Sequence, residues 1–182
     1  MQGNFLIDFL RKIFIKQQSK IWEKANKVIV ISESIRDWLE KLNSSIKPIV
    51  IPYGVEIQKV SQKNKLANPT LGYLGKLNKN KGIEDLIDVY TKFQEKENSS
   101  NFELTLLIGG TGSGNYIKSL KNKIKDNNVK FLGYVEDRYS FFESIEIFVF
   151  PSYSEGLGLV LLEAMSHGVI CITRDVTPML SL

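Results

Sequence analysis

From Thr70 onward, apolar runs alternate regularly with amphipathic segments, and this feature restricts the fold more than any other. The apolar runs predict strands at Thr70–Leu74, Leu104–Ile108, Val129–Leu132, Ile147–Phe150 and Val169–Thr173. The segments between them predict helices at Ile83–Lys96, Tyr116–Lys125, Asp137–Ser144 and Leu157–Ser166. Continuous apolar strands that alternate with helices are typical of a parallel sheet covered on both faces. The sequence therefore predicts an α/β fold, a Rossmann-like parallel sheet with helices on both faces.

The beginning of the chain is organised differently. Within residues 5–22, apolar side chains recur at helical spacing between basic ones, at Leu6, Phe9, Leu10, Ile13 and Phe14. This apolar face predicts packing on another domain, and the alternative is a basic amphipathic helix on a membrane surface. The run Lys27–Ile31 predicts a strand, with Ser32 as the N-cap of a helix over Glu33–Leu42.

A second short strand is expected at Ile49–Ile51, where Pro52 closes it. Residues 56–69 are polar, rich in Lys, Asn and Gln, and lack periodicity, which predicts a linker. The expected organisation is therefore the end of one domain and an interdomain junction at residues 1–55, the linker at 56–69, and a Rossmann-like domain at 70–182.

Composition excludes several kinds of site. The formal net charge of +4 favours anionic partners in general, although solubilising charge explains most of the lysines. Cys171 is the only cysteine and lies in an apolar run, which predicts a small buried side chain and excludes an internal disulfide. His167 is the only histidine, so we expect neither a catalytic triad nor a His-rich metal site.

Targeting features are also absent from the sequence pattern. No apolar stretch reaches transmembrane length. Charged residues interrupt the N-terminal apolar positions, which argues against a signal peptide. Together with the lone thiol, these features favour a cytoplasmic location. Peripheral contact with the inner membrane surface is the alternative for the first helix.

The segment Pro151–Met165 joins a polar loop to a very apolar helix and carries two acidic residues. Glu163 lies among leucine, alanine and methionine residues, where a carboxylate is costly unless a partner hydrogen-bonds to it. A ligand contact is one interpretation of Glu163. A solvated stripe on the helix, or a pair with a neighbouring lysine, is the other.

Glu155 and two glycines precede this helix. Negative charge is favoured at a helix N-terminus, so Glu155 alone is explained as a helix-start residue. Gly156 and Gly158 are harder to explain, because glycine in a first turn weakens a helix. They leave backbone N–H groups open to a ligand, and such a helix end suits an anion.

Two more loops follow strands of the predicted sheet. Gly75–Gly82 carries lysines at positions 76, 79 and 81, which suit the binding of a diphosphate, and a solvated basic loop is the alternative. The glycine-rich loop Gly109–Gly114 matches neither the dinucleotide nor the P-loop fingerprint. We expect it to be a flexible turn that at most forms a wall of the pocket. Folds of this class bind ligands at the carboxyl ends of their strands, where both loops lie.

The motifs occur in the order of a known family. Glu155 and Glu163 enclose seven residues in EGLGLVLLE, which resembles the Glu-x7-Glu motif of glycosyltransferase family 4, also called group 1. Gly72–Lys76 followed by Lys81 and Gly82 resembles the family's G-R-x(4)-K-G pattern. Further segments resemble its other landmarks: Val28–Ser32, Ile51–Val55, Phe131–Val135 and Phe150–Ser152.

The resemblance implies a function and roles for these residues. It implies the C-terminal, donor-binding half of a GT-B glycosyltransferase, which transfers a hexosyl-type sugar from a nucleotide-diphosphate sugar and retains the anomeric configuration. Glu155 would contact the hydroxyls of the donor sugar and Glu163 the ribose. Lys81 and Lys76 would neutralise the diphosphate as it leaves.

The remaining implied contacts come largely from the backbone. The substrate-binding set includes Gly75, and the backbone near Val135 would contact the base. N–H groups of the helix start would face the sugar and the diphosphate, at Gly156, Leu157, Gly158 and Leu159. No metal and no cofactor are implied, since cationic side chains and a helix end replace a metal. The implied partners are a nucleotide-sugar donor and a glycan or lipid-linked acceptor of cell-surface polysaccharide biosynthesis, and no nucleic acid.

Two departures from the family pattern matter. Position 76 holds Lys where the family usually has Arg, so a forked contact becomes a point charge. The Gly-rich turn expected past Asp175 is not recognisable. Nearly all of an N-terminal acceptor domain is expected to be missing, so we expect a fragment, incomplete at both ends, with negligible transfer on its own. The alternatives are a nucleotide-sugar-binding fragment without transfer activity and an unrelated nucleotide-binding α/β domain.

Overall fold

The chain consists of short apolar strands that alternate with helices. The computed structural model describes residues 5–58, 69–97, 103–124, 126–155 and 158–175. These residues fall into two compact units, which divide between Gly54 and Val55. Residues 59–68 of the predicted linker lie outside the described residues.

The first unit consists of two helices and two strands: α1 Phe5–Trp22, β1 Val28–Val30, α2 Glu33–Leu42 and β2 Pro48–Val50. The two strands pair in parallel. Helix α2 begins as predicted, because the Ser32 side chain accepts a hydrogen bond from the Ile35 N–H at 3.3 Å. The apolar face predicted on α1 falls mainly on side chains outside the described set, and its last member, Phe14, is 60% exposed.

The second unit contains the five remaining strands: β3 Thr70–Leu74, β4 Thr105–Gly109, β5 Val129–Gly133, β6 Ile147–Phe150 and β7 Ile170–Thr173. Its helices are α3 Ile83–Glu97, α4 Gly114–Lys123, α5 Arg138–Glu143 and α6 Leu159–Ser166, with a short 3₁₀ turn at Lys79–Lys81. The strands form one parallel sheet in the order β5-β4-β3-β6-β7. The chain therefore moves outward from β3 to β5 and then returns to the other side of β3, which places the topological switch point at β3.

Both faces of this sheet are covered. Successive residues of β3 face opposite ways, so Tyr73 and Leu74 belong to different apolar clusters. The Tyr73 cluster includes residues of α3 and α4, among them Ile83, Ile87 and Leu120. The Leu74 cluster includes residues of α5 and α6, among them Phe141, Phe142 and Ala164. The predicted Rossmann-like sheet with helices on both faces is thereby confirmed.

Several predicted boundaries are wrong by one or two residues. Helix α4 begins at Gly114 rather than Tyr116, because the Ser113 side chain accepts from the Tyr116 N–H at 3.4 Å and caps the first turn. Strand β7 begins at Ile170 rather than Val169, because the Val169 N–H still bonds to the end of α6. Asp137 and Ser144 prove to be the caps of α5 rather than its members.

Helix α6 begins at Leu159 rather than Leu157, and Leu157 itself lies outside the described residues. Gly158 is its N-cap, in the left-handed region at φ 70°. Cys171 is half-buried, contrary to the expectation of full burial, since β7 has no further strand on its outer side within the described sheet. Among the described helices, none combines the length and apolar character needed to cross a bilayer.

Candidate functional site

Four loops leave the carboxyl ends of β3, β4, β5 and β6 and meet at the switch point of the sheet. The loop after β3 is anchored at both of its ends. The buried Tyr73 donates its hydroxyl to the carbonyl oxygen of Lys76 at 3.1 Å. Burial, with the charge of Glu155, raises the pKa of Tyr73, so the hydroxyl remains a proton donor. The side chain of Lys76 is exposed and extends from a fixed backbone.

The other end of this loop contacts the loop after β6. Gly82 has a φ of 65°, and a Cβ there would overlap the carbonyl oxygen of Pro151. Only glycine fits such a close approach of two backbones. The Tyr153 N–H donates to the Asn80 carbonyl at 2.9 Å, which ties the same two loops together. The arrangement brings Lys81 next to Glu155.

Lys81 and Glu155 form an ion pair between Nζ and Oε1. They are 74 positions apart in the chain. Their side chains keep only 26% and 19% of their exposure, so both charges are largely withdrawn from water yet still reachable. The two residues that the sequence predicts for the sugar and the diphosphate are therefore direct neighbours. The predictions for their roles remain predictions.

A polar cluster of Asp85 on α3, Tyr153, and Arg174 just after β7 fixes the loop that carries Glu155. The Tyr153 hydroxyl donates to Asp85 Oδ2 at 2.6 Å, and the Arg174 guanidinium contacts the same carboxylate. Arg174 also lies 3.9 Å above the Tyr153 ring. The hydrogen bond from Tyr153 and then that from Arg174 lower the pKa of Asp85, against an opposing effect of burial. The carboxylate thus stays ionised and keeps the loop attached to α3.

The start of α6 lacks a side-chain cap among the described residues. Gly158 offers no side chain to the first turn, and no described side chain hydrogen-bonds to it. The unpaired N–H groups of such a turn favour an anion. Gly156 and Leu157 lie outside the described residues, whereas Leu159 is the first residue of the helix and is 41% exposed.

Glu163, on α6, pairs with an arginine rather than with the lysine considered above. Arg138 Nη1 donates to both carboxylate oxygens of Glu163, at 2.8 and 3.0 Å. The side chain of Glu163 is 29% exposed. The cost of a carboxylate among apolar neighbours is thus offset by a charged hydrogen-bond donor from α5.

A cavity of about 290 Å³ is lined by the loops after β3, β4 and β5 and by the starts of α5 and α6. Its described lining consists of Leu74, Gly75, Lys76, Gly110, Thr111, Tyr134, Val135, Arg138 and Val160. Three predicted site residues, Gly75, Lys76 and Val135, are thereby brought together in one cavity. Gly110 and Thr111 form one wall, as expected for the glycine-rich loop. Neither Lys81 nor Glu155 is among the described lining residues.

Sequence reasoning missed Arg138. Its position contained a usable indication, because a cation in the first turn of a helix opposes the helix dipole. A residue placed against this preference, in the helix that follows the loop after β5, indicates a role outside helix stability. The partner of Arg138 is 25 positions away, which no local pattern reveals.

The histidine and the acidic residues form no metal site in the part of the chain that the structure describes, where no group of three or more His, Cys, Asp or Glu side chains comes together. His167 is buried against Tyr139 and Phe142. Its Nδ1 lies 2.8 Å from the Glu163 carbonyl oxygen. The histidine therefore belongs to the packing beneath α6.

Comparison with known proteins identifies the family. The model of the glycosyl transferases group 1 family matches residues 68–181. The chain belongs to this family. The family match overturns the alternative of an unrelated nucleotide-binding domain, and the narrower assignment to family 4 stays a prediction.

Relatives and solved structures agree with this assignment. The capsular polysaccharide biosynthesis glycosyltransferase CapM of Staphylococcus aureus is 31% identical over an alignment of 171 residues, which covers 84% of this chain and 44% of CapM. An uncharacterized Haemophilus influenzae glycosyltransferase is 30% identical over 84% of this chain and 43% of its own length. The group 1 chain thus spans less than half the length of these curated relatives.

Among solved structures, TarM superposes with a TM-score of 0.77 at 25% identity, over 89% of this chain and 32% of TarM. Anabaena HepE in complex with UDP-glucose superposes with a TM-score of 0.75 at 22% identity, over 91% of this chain and 49% of HepE. These neighbours are glycosyltransferases of the GT-B class, and they share the fold of the group 1 chain.

Proposed function

We propose that the second unit binds the nucleotide-diphosphate sugar donor of a glycosyltransferase. The complete enzyme would transfer a hexosyl-type sugar to a glycan or lipid-linked acceptor and retain the anomeric configuration. The observation that supports this proposal most strongly is a pair of ion pairs near the carboxyl ends of one parallel sheet. Lys81 pairs with Glu155, and Arg138 pairs with Glu163. The relatives support it, since CapM is a glycosyltransferase of capsular polysaccharide biosynthesis and Escherichia coli WclY one of O-antigen biosynthesis.

The chemistry of donor binding fits the charges at the site. A nucleotide diphosphate leaves with growing negative charge, which fixed cations and helix N–H groups stabilise. Lys81, Lys76 and the open start of α6 would supply these groups. Glu155 would accept hydrogen bonds from sugar hydroxyls, and Glu163 from the ribose. Structures of TarM, of HepE and of the pneumococcal O-GlcNAc transferase GtfA contain UDP or UDP-glucose, which supports a donor of this chemistry.

Calorimetric titration of the 182-residue chain with UDP-, GDP- and ADP-sugars tests donor binding directly. We expect one nucleotide to bind, and we expect chelation of divalent metal to leave its affinity unchanged. Absence of binding across the whole panel would contradict the proposed function. Acceptor-dependent turnover then decides whether transfer accompanies binding, which separates this proposal from that of a fragment without transfer activity.

A substitution at Glu163 tests the ribose contact. Glu163→Gln keeps the size of the side chain but removes the charge that strengthens its hydrogen bonds. We expect the affinity for the bound nucleoside diphosphate to fall by roughly 1–3 kcal/mol. Calorimetry measures the change, and thermal unfolding checks that the variant is folded. Unchanged affinity in a folded variant would remove Glu163 from the ribose site.

A further inference from the structure

Arg138 connects the cavity with the acidic side chain of α6. It lines the cavity, whereas Glu163 is not among the described residues that line it. A single nitrogen, Nη1, donates to both carboxylate oxygens of Glu163, at 2.8 and 3.0 Å. The guanidinium is therefore in contact both with the cavity and with the Glu163 carboxylate.

Helix stability does not explain this arginine. Arg138 is the first residue of α5, where a positive charge opposes the helix dipole. The N-cap Asp137 already satisfies the first turn, since it accepts a hydrogen bond from the Ser140 N–H at 3.0 Å. The Arg138 side chain is also 55% exposed, and ion pairs of this exposure contribute little to folding. A function at the cavity accounts for it better.

We propose that Arg138 is a positioning residue for ribose recognition, which holds the Glu163 carboxylate so that its remaining lone pairs accept the 2′- and 3′-hydroxyls of a bound nucleotide. The inference rests on the proposed function. An ionised carboxylate offers about four lone-pair sites, and the two bonds from Arg138 leave about two of them free.

The test uses pairs of ligands that differ only in the ribose hydroxyls: UDP, GDP and ADP, each against its 2′,3′-dideoxy form. Binding to the full chain is measured by calorimetry for the unmodified protein and for Arg138→Ala, Arg138→Lys and Glu163→Gln. We expect Arg138→Ala to weaken the ribose form about tenfold and the dideoxy form less than about twofold. Arg138→Lys should keep part of the preference, since it retains the charge but not the planar guanidinium.

The double variant separates positioning from direct contact. If Arg138 acts through Glu163, Arg138→Ala should cause little further loss in a Glu163→Gln background, because the two side chains form one unit. Arg36→Ala is the matched control. Arg36 pairs with Glu33 and Asp37 on α2, outside the second unit, and its loss should change neither ligand. Thermal unfolding of each variant verifies that it is folded.

Each failure has a different pattern. Equal losses for the ribose and dideoxy forms, or additive losses in the double variant, would overturn the role of Arg138. If Glu163→Gln abolishes the ribose preference while Arg138→Ala preserves it, only the inference on Arg138 fails. If the unmodified protein binds no nucleotide, or binds both forms equally, the proposed function or its ribose contact fails first, and the inference fails with it.

Discussion

Lys81→Ala should weaken the binding of a nucleoside diphosphate by roughly 2–3 kcal/mol, about 30- to 140-fold, and leave the free nucleoside almost unaffected. The lysine would hold the diphosphate through charged hydrogen bonds, and only the diphosphate presents that charge. The substitution also leaves the Glu155 carboxylate, which is 19% exposed, without its cation. Its negative charge would then repel the phosphates of the ligand. Calorimetry with UDP, GDP and ADP against their nucleosides measures both effects. Equal losses for nucleotide and nucleoside would limit Lys81 to a structural role.

The Lys81–Glu155 ion pair predicts that substitution of Glu155 changes diphosphate affinity in the opposite direction. In the free protein Glu155 neutralises Lys81, so a diphosphate must compete with this carboxylate. Glu155→Gln should therefore strengthen the binding of inorganic pyrophosphate and of nucleoside diphosphates severalfold, although it weakens the donor sugar. The double variant Lys81→Ala, Glu155→Gln should recover part of the loss seen in Lys81→Ala.

A second lysine of the same loop serves as the control. Lys79 is exposed and forms no ion pair with another described residue. Lys79→Ala removes the same charge from the loop, so a purely general attraction between the loop and phosphate would weaken binding equally in both variants. A much smaller loss for Lys79→Ala would place the effect at Lys81.

The fold was predictable because the apolar pattern within each short segment indicates its secondary structure. Runs such as Thr70–Leu74 and Ile147–Phe150 are apolar on both sides of the strand, which only a sheet covered on both faces accommodates, and the structure has them with the predicted bounds. Errors arose where a single residue at the start of a helix sets the local backbone, either through its side chain or, for glycine, through its left-handed conformation. Ser113 extends α4 toward its N-terminus in this way, and Gly158 shortens α6.

The site was predictable only in part. The carboxyl ends of parallel strands meet at one edge, so the loops that contain Lys76 and Val135 had to come together, and they share one cavity. The pairing of charges could not be predicted. Lys81 and Glu155 are 74 positions apart, and their contact depends on the approach of Gly82 to Pro151. Charge patterns along the sequence contain no information on such backbone contacts.

Gly110 is the position where substitution should have the largest effect on stability. Its φ of 134° lies in the region that side chains rarely adopt, and a Cβ would overlap the carbonyl oxygen of Gly75 and lie 2.8 Å from its carbonyl carbon. Both atoms belong to the backbone, so no rotamer change relieves the overlap. The Gly110 N–H also donates to the Gly133 carbonyl at 2.6 Å, which links the loops after β4 and β5. A displaced residue 110 therefore disturbs the loops after β3, β4 and β5, which line the cavity.

We expect Gly110→Ala to lower the free energy of unfolding by roughly 3 kcal/mol or more, the sum of backbone strain and overlap. Nucleotide binding should be lost as well, since Gly75 and Gly110 both line the cavity. Gly114→Ala is the matched control, because a Cβ there meets no atom within 4 Å and the residue starts helix α4. Alanine at that helical position should leave stability unchanged or raise it by up to about 1 kcal/mol. Chemical denaturation of both variants measures the difference, and similar stabilities would show that the loops yield to the added methyl group.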